Sequence, residues 1–243
     1  MAKFGSDSID VLMAGGYSLL PLKAKGLTLT HKAMQANTTG LGDAWPDKTP
    51  TGMQDATITI GEGFYDNDTD SMHTALRGSQ ATSRVLSVAL EGDIIGQPFI
   101  GHAGTYGMTY EVAAKRDDLT KATVTHSVSG AREEGVILQS TATKVADWNT
   151  EGADSVDHGA STANGGSGYF HITAYAGFTN IIGKIRHSAD DVTYADLLTF
   201  STATAIGGER VTVSGTVNRH LAFDGNVTGS GSVTVFAGFA RNT

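Results

Sequence analysis

Apolar and polar side chains alternate with a period of two along most of the chain, the pattern of strands buried on one face only. Ala56, Ile58 and Ile60 alternate with Thr57 and Thr59. Ala122, Val124, His126 and Val128 repeat the pattern, as do Val211, Val213 and Val217 and then Val233, Val235, Ala237 and Phe239. Further strands are predicted at 84–90, 107–115, 135–140, 169–175 and 180–186, all rich in Thr, Val and Ile, whose branched side chains suit a pleated surface.

Helical spacing is scarce. Met72 and Leu76 lie four apart behind an acidic first turn, and Gly78 follows where helices stop, which predicts a helix over 68–77. A second short helix is predicted over 190–200 around Val192, Ala195 and Leu198. The fold class expected is mainly β with one or two short helices. Residues 36–55 are polar with two prolines and predict a long functional loop. Glu151 to Gly168 ends in Asn164-Gly-Gly-Ser-Gly and predicts a linker. The expected organisation is therefore a β domain over 1–150, a linker over 151–168 and a C-terminal β-sandwich over 169–243, with one domain carrying a long hairpin loop as the alternative.

Composition narrows the chemistry. The 243 residues include 31 glycines and only 4 prolines, which suits many tight turns. There is no cysteine, so disulfides, thiolate catalysis and cysteine zinc sites are excluded. The net charge of −8 is spread along the chain, and the longest basic run is Lys115-Arg116, so no surface for tight nucleic-acid binding is expected. Neither a signal peptide nor a membrane-spanning run is evident, so the expected product is soluble and made in a cytoplasm.

Candidate reaction chemistry fails on spacing. Asp66-Asn-Asp-Thr-Asp70 would need Gly and Glu at its sixth and twelfth positions to be a calcium loop, and it has Ser71 and Arg77; capping of the following helix explains it better. His187, Ser188 and Asp190 are the residue types of a hydrolase triad but are adjacent, with no Gly-x-Ser-x-Gly elbow, and predict a turn instead. No two of the eight histidines have metal-ligand spacing. Gly101 to Gly107 predicts a loop, without the Lys-Ser/Thr of a phosphate loop. No cofactor, metal or catalytic residue is predicted. Trp45, with Pro46, is either an interface anchor or folded back on its own core.

Several blocks resemble the major tail, or tail tube, proteins of siphophages, especially those of actinobacteriophages. They are Val11-Leu-Met-Ala-Gly-Gly-Tyr17, Leu41-Gly-Asp-Ala-Trp45, Pro50-Thr-Gly52, Gly63-Phe-Tyr-Asp66, Ser129-Gly-Ala-Arg132-Glu-Glu-Gly135, Ile185-Arg-His-Ser188, Tyr194-Ala-Asp-Leu197, Gly215-Thr-Val-Asn-Arg219 and Phe239-Ala-Arg241-Asn242. The resemblance implies a tube-type β-sandwich or barrel whose strands join copies into a ring. It implies a non-enzymatic virion protein whose stacked rings conduct the genome. The partners it implies are copies of itself, six per ring or three if the C-terminal part is a second tube-like unit, with a tape measure protein and tail terminator or distal tail proteins.

On that reading the 36–55 loop, with Gly40, Trp45, Pro46 and Pro50, is the candidate contact between rings, and a neutral or acidic bore would pass DNA without binding it. The segment from about 165 also looks like a jelly-roll carbohydrate-binding module, so the alternative is a decoration protein that binds host-surface glycans.

Overall fold

Residues 9–19, 26–41, 44–65, 72–78, 80 and 82–242 are described by the structure, a computed structural model. It is mainly β, and its strand pairs are antiparallel. In chain order the elements are β1 (Val11–Ala14), β2 (Tyr17–Ser18), β3 (Gly26–Asn37), β4 (Lys48–Phe64), α1 (Met72–Leu76), β5 (Arg84–Ala89), β6 (Pro98–Ala113) and β7 (Lys121–Lys144). They continue with β8 (Trp148–Asn149), β9 (Val156–Asp157), β10 (Gly166–Ser188), β11 (Ala195–Thr199), β12 (Gly207–Val213) and β13 (His220–Arg241).

The chain forms two compact units. The first comprises 1–21, 84–104 and 132–243, and the second 22–83 and 105–131, so β6 and β7 each contribute to both. This division differs from the expected 1–150, 151–168 and 169–243, because residues 132–144 of β7 pair with β13 rather than remaining with the N-terminal part. In the first unit, β10 and β13 pair along almost their whole length, bulging near Ala174 and Phe178. Phe170, Ile181, Ile185, Phe223, Val233, Val235 and Phe239 build one core there, and Met13, Phe99, Ile137, Tyr169 and Phe236 a second. In the second unit Ile58, Ile60, Ala75, Leu76, Ala122 and Val124 are buried.

Several local expectations are corrected. Half of residues 36–55 are the ends of β3 and β4 rather than a loop: Asn37 pairs with Lys48 and Gln35 with Pro50. The hairpin hides there because it has no buried face to leave an alternating pattern. Gly101–Gly107 lies inside β6, and its glycine serves close packing, since a Cβ at Gly101 would stand 2.4 Å from Tyr169 Cζ. Gly166, Ser167 and Gly168 of the expected linker begin β10, where a Cβ on Gly166 would meet Ala240 O at 2.5 Å. The predicted helix over 190–200 is a turn followed by β11. Asp190 Oδ1 accepts from the Val192 and Thr193 amides, Asp191 has φ 62°, and Ala195 to Thr199 pair with β10. The other predicted helix is present as α1 over Met72–Leu76, and residues 66–71 before it, with the acidic cluster read as its cap, lie outside the described residues.

Candidate assembly surfaces

The second unit is built on a sheet of order β3–β4–β7–β6. Paired residues on adjacent strands share a face. One face carries the rows Thr28–Thr59–Thr125 and Thr30–Thr57–Ser127. Thr59 and Thr125 hydroxyls are 3.3 Å apart, in hydrogen-bond contact. The opposite face carries Leu27–Ile60–Val124 and Leu29–Ile58–His126. Burial follows this split: Ile58, Ile60, Val124 and His126 are buried, while the hydroxyl rows are half-exposed or exposed. The sequence periodicity thus produces a sheet with one dry side and one wet side. At the arm end of the wet side Lys32 stands opposite Asp55, so its opposite charges offset each other locally.

Among the described residues β3 pairs with β4 alone. β6 has β7 on one side; its other neighbour, β5, is six residues long and belongs to the first unit. Among the described residues the part of β6 from Thr105 on therefore lies at one edge of this sheet, as β3 lies at the other. Such edges present unpaired backbone donors and acceptors to any matching strand.

Beyond the sheet the β3–β4 hairpin continues as an arm, exposed on both faces from Lys32 to Asn37 and from Lys48 to Thr51. Six extended residues reach about 20 Å. Its tip is tied by Thr38 Oγ1 to Asp47 Oδ2 at 2.8 Å and by Asp47 N to Thr39 Oγ1 at 2.9 Å. Gly40, Trp45, Pro46 and Pro50 all lie on this arm and all are exposed, Trp45 at 82 %. Of the two readings of Trp45, the one that folds it onto its own core is removed. Met34 and Leu41 are exposed on the same arm, an apolar extension the sequence did not single out.

The first unit holds polar clusters of a different kind. Ser188 Oγ donates to Asp190 Oδ1 at 2.8 Å and accepts from the Asp191 amide, while His187 Nδ1 accepts from Asn218 N at 3.2 Å. The triad residues close a turn and do not meet as a triad. Ser87 Oγ and His171 Nε2 are 2.9 Å apart, but both residues are fully buried, and Nδ1 donates to Gly15 O at 2.8 Å. Burial lowers the His171 pKa to about 4, so the ring is a neutral structural link.

Asp93, Asp154 and Asp157 line an open cleft of about 660 Å³. Two of the three are already engaged. The Arg219 guanidinium holds the Asp157 carboxyl well below the usual carboxylate range, and both Asp93 oxygens accept from Thr141 N. No group of three or more metal-ligating side chains occurs among the described residues. Of the aromatic rings of the proposed glycan module, Tyr169 and all six phenylalanines are buried in the core, and only Tyr175 and Tyr194 are half-buried. Trp148 likewise packs on Phe223 and donates from Nε1 to Gln139 Oε1 at 2.8 Å.

Neither a protein-family model nor a curated protein matches the chain. Solved structures similar to it include a protein from the tail of an empty gene transfer agent particle refined with C6 symmetry. It is 10 % identical, over 44 % of this chain and 78 % of that one, with a TM-score of 0.34. A protein from the virion of a native gene transfer agent particle is 13 % identical over 54 % and 97 %, at 0.36. The Dit protein (gp 19.1) of SPP1, from the hub adsorption apparatus of phages infecting Gram-positive bacteria, is 11 % identical over 93 % and 97 %, at 0.38. TM-scores below 0.5 do not establish a shared fold.

Proposed function

We propose that this chain is a structural, non-enzymatic subunit of a long-tailed phage virion, a tail tube protein whose copies join edge to edge through the second unit into rings around a channel. The observation that carries this reading is the β3–β4–β7–β6 sheet, with its hydroxyl face, its apolar face and its two outward edges. β3, β4 and β7 alternate in direction, and only residues 114–120 connect β6 to β7, too few for a parallel crossover. Four alternating strands leave the two edges running oppositely. A copy added head to tail thus continues the antiparallel pattern across every boundary, and a closed circle of such copies has no edge left.

In such a circle the apolar face packs outward under α1 and the hydroxyl rows face the channel. Threonine and serine hydroxyls offer a wetted wall without the cations that retain phosphate, so DNA passes without being held. The exposed arm with Trp45, Pro46 and Pro50 meets the next ring. Six copies complete the circle if each chain gives one such sheet. The sequence resemblance adds the tape measure protein as the occupant of the channel during growth, terminator or distal tail proteins at the ends, synthesis in the host cytoplasm and residence in the virion.

Negative-stain microscopy of the purified protein across a concentration series tests the reading. Hollow rings or tubes are expected. Solitary subunits at every concentration, or assemblies without a channel, overturn it.

A further inference from the structure

We propose that an aromatic and methionine patch at the β6 edge, built by Tyr65, His73, Tyr106, Met108 and Tyr110, is the anchor that holds a second copy of this chain, by the β3 edge of that copy. The inference rests on the ring reading and names the side chains that make its lateral contact.

On the interior strands of the sheet the apolar face is closed: Ile58, Ile60 and Val124 are 0 % exposed. On β6 the alternate residues Tyr106, Met108 and Val112 are exposed and Tyr110 is half-buried, while Thr105 and Gly107 between them are buried. Tyr106 is 46 %, Met108 59 % and Val112 43 % exposed. Tyr110 is hydrogen-bonded to His73 of α1, and the His73 ring lies 4.5 Å from that of Tyr65 and 5.6 Å from that of Tyr110. Three of these rings, Tyr65, His73 and Tyr110, therefore sit in a fixed arrangement before any partner arrives. Tyrosine and methionine are enriched in interfaces, and a pre-set aromatic cluster loses little side-chain freedom on contact.

The occupant follows from the same sheet. Only a strand added at β6 brings side chains in step with both of its faces, and β3 has the matching alternation. Leu27 and Leu29 lie on the apolar side, both half-buried, and Thr28 and Thr30 continue the hydroxyl side. A second copy satisfies strand direction and face pattern together.

The chain has no cysteine, so two introduced ones report the contact directly. In the full-length protein carrying both Met108→Cys and Leu29→Cys, a short bismaleimide should give a ladder of oligomers ending at one closed species, and neither single variant should. Separately, Tyr106→Ser with Met108→Ser, checked by circular dichroism for an unchanged fold, should raise the concentration at which rings form by about tenfold or more. Wild-type rings with no ladder from the double-cysteine protein, or with ring formation unchanged in a folded serine variant, overturn the anchor and leave the ring reading standing. Absence of wild-type rings overturns both.

Discussion

Arg210 on β12 grips Glu133 on β7, 77 residues earlier in the chain, from two points: its Nε donates to Glu133 Oε2 at 2.8 Å and a terminal nitrogen donates to Oε1. Tyr169 and Ser167 of β10 donate to the same two oxygens, so the carboxylate has two partners on each side. Burial alone would raise the Glu133 pKa; the bonds from Arg210, Tyr169 and Ser167 outweigh it and hold the group below its ordinary value. Arg210→Met should cost about 2–3 kcal/mol, less than a fully buried pair because both side chains keep some solvent contact. Urea unfolding of Arg210→Met, Glu133→Gln and the double variant checks this, and the double should cost clearly less than the sum.

Acid should weaken the first unit before its carboxylates titrate. His171 is neutral and enclosed, and burial lowers its pKa to about 4 from the 6.5 of a free imidazole. The unfolded chain therefore binds the extra proton first, and stability falls as pH drops from about 6.5 towards 4. Between pH 7 and 4.5 the loss from this one group should be about 2–3 kcal/mol. Denaturation midpoints should fall with pH between about 6.5 and 4 more steeply in the wild type than in His171→Asn, and equal slopes would clear that imidazole of the effect. Below pH 4.5 the loss of the Glu133 contribution follows, since its folded pKa is depressed.

Gly101→Ala should destabilise by about 1–3 kcal/mol, as overpacking does in a filled core. The added methyl would fall 2.4 Å from Tyr169 Cζ, on a ring that the Glu133 hydrogen bond and Phe99 hold in place. Calorimetry of Gly101→Ala and of Gly101→Ser should show the serine variant at least as damaged.

Trp45→Ala should separate stability from assembly. The ring is outside any core, so the unfolding midpoint should shift by no more than about 0.5 kcal/mol. Single rings should still form, and their stacking into long tubes should fail. Tubes of normal length by electron microscopy would remove the arm from the contact.

The legible part of the sequence was the part with one wet and one dry side. Ala56, Ile58 and Ile60 and the run from Ala122 to Val128 announced strands because burial on one face leaves a period of two, and the structure pairs these runs with each other. The arm was misread because Lys32 to Asn37 and Lys48 to Thr51 are wet on both sides, so hydrogen bonding alone makes them strands. The length of β7 was also hidden: Gly130, with φ 94°, sits mid-strand and splits one long element into two apparent ones. At 190–200 the spacing of Val192, Ala195 and Leu198 suited a helix, but local bonds from Ser188 and Asp190 to the following amides closed a turn first. Trp45 stands out by type alone, whereas Tyr106 and Met108 look like ordinary core residues in the sequence, and only the structure shows them exposed.

The passage of β6 and β7 through both units has a genetic consequence. Each unit is encoded in separated pieces, so no single cut in the gene releases either one whole. A recombination event that exchanges one half of the coding region for that of a relative would divide both units between two parents, which ties the two units to a common inheritance.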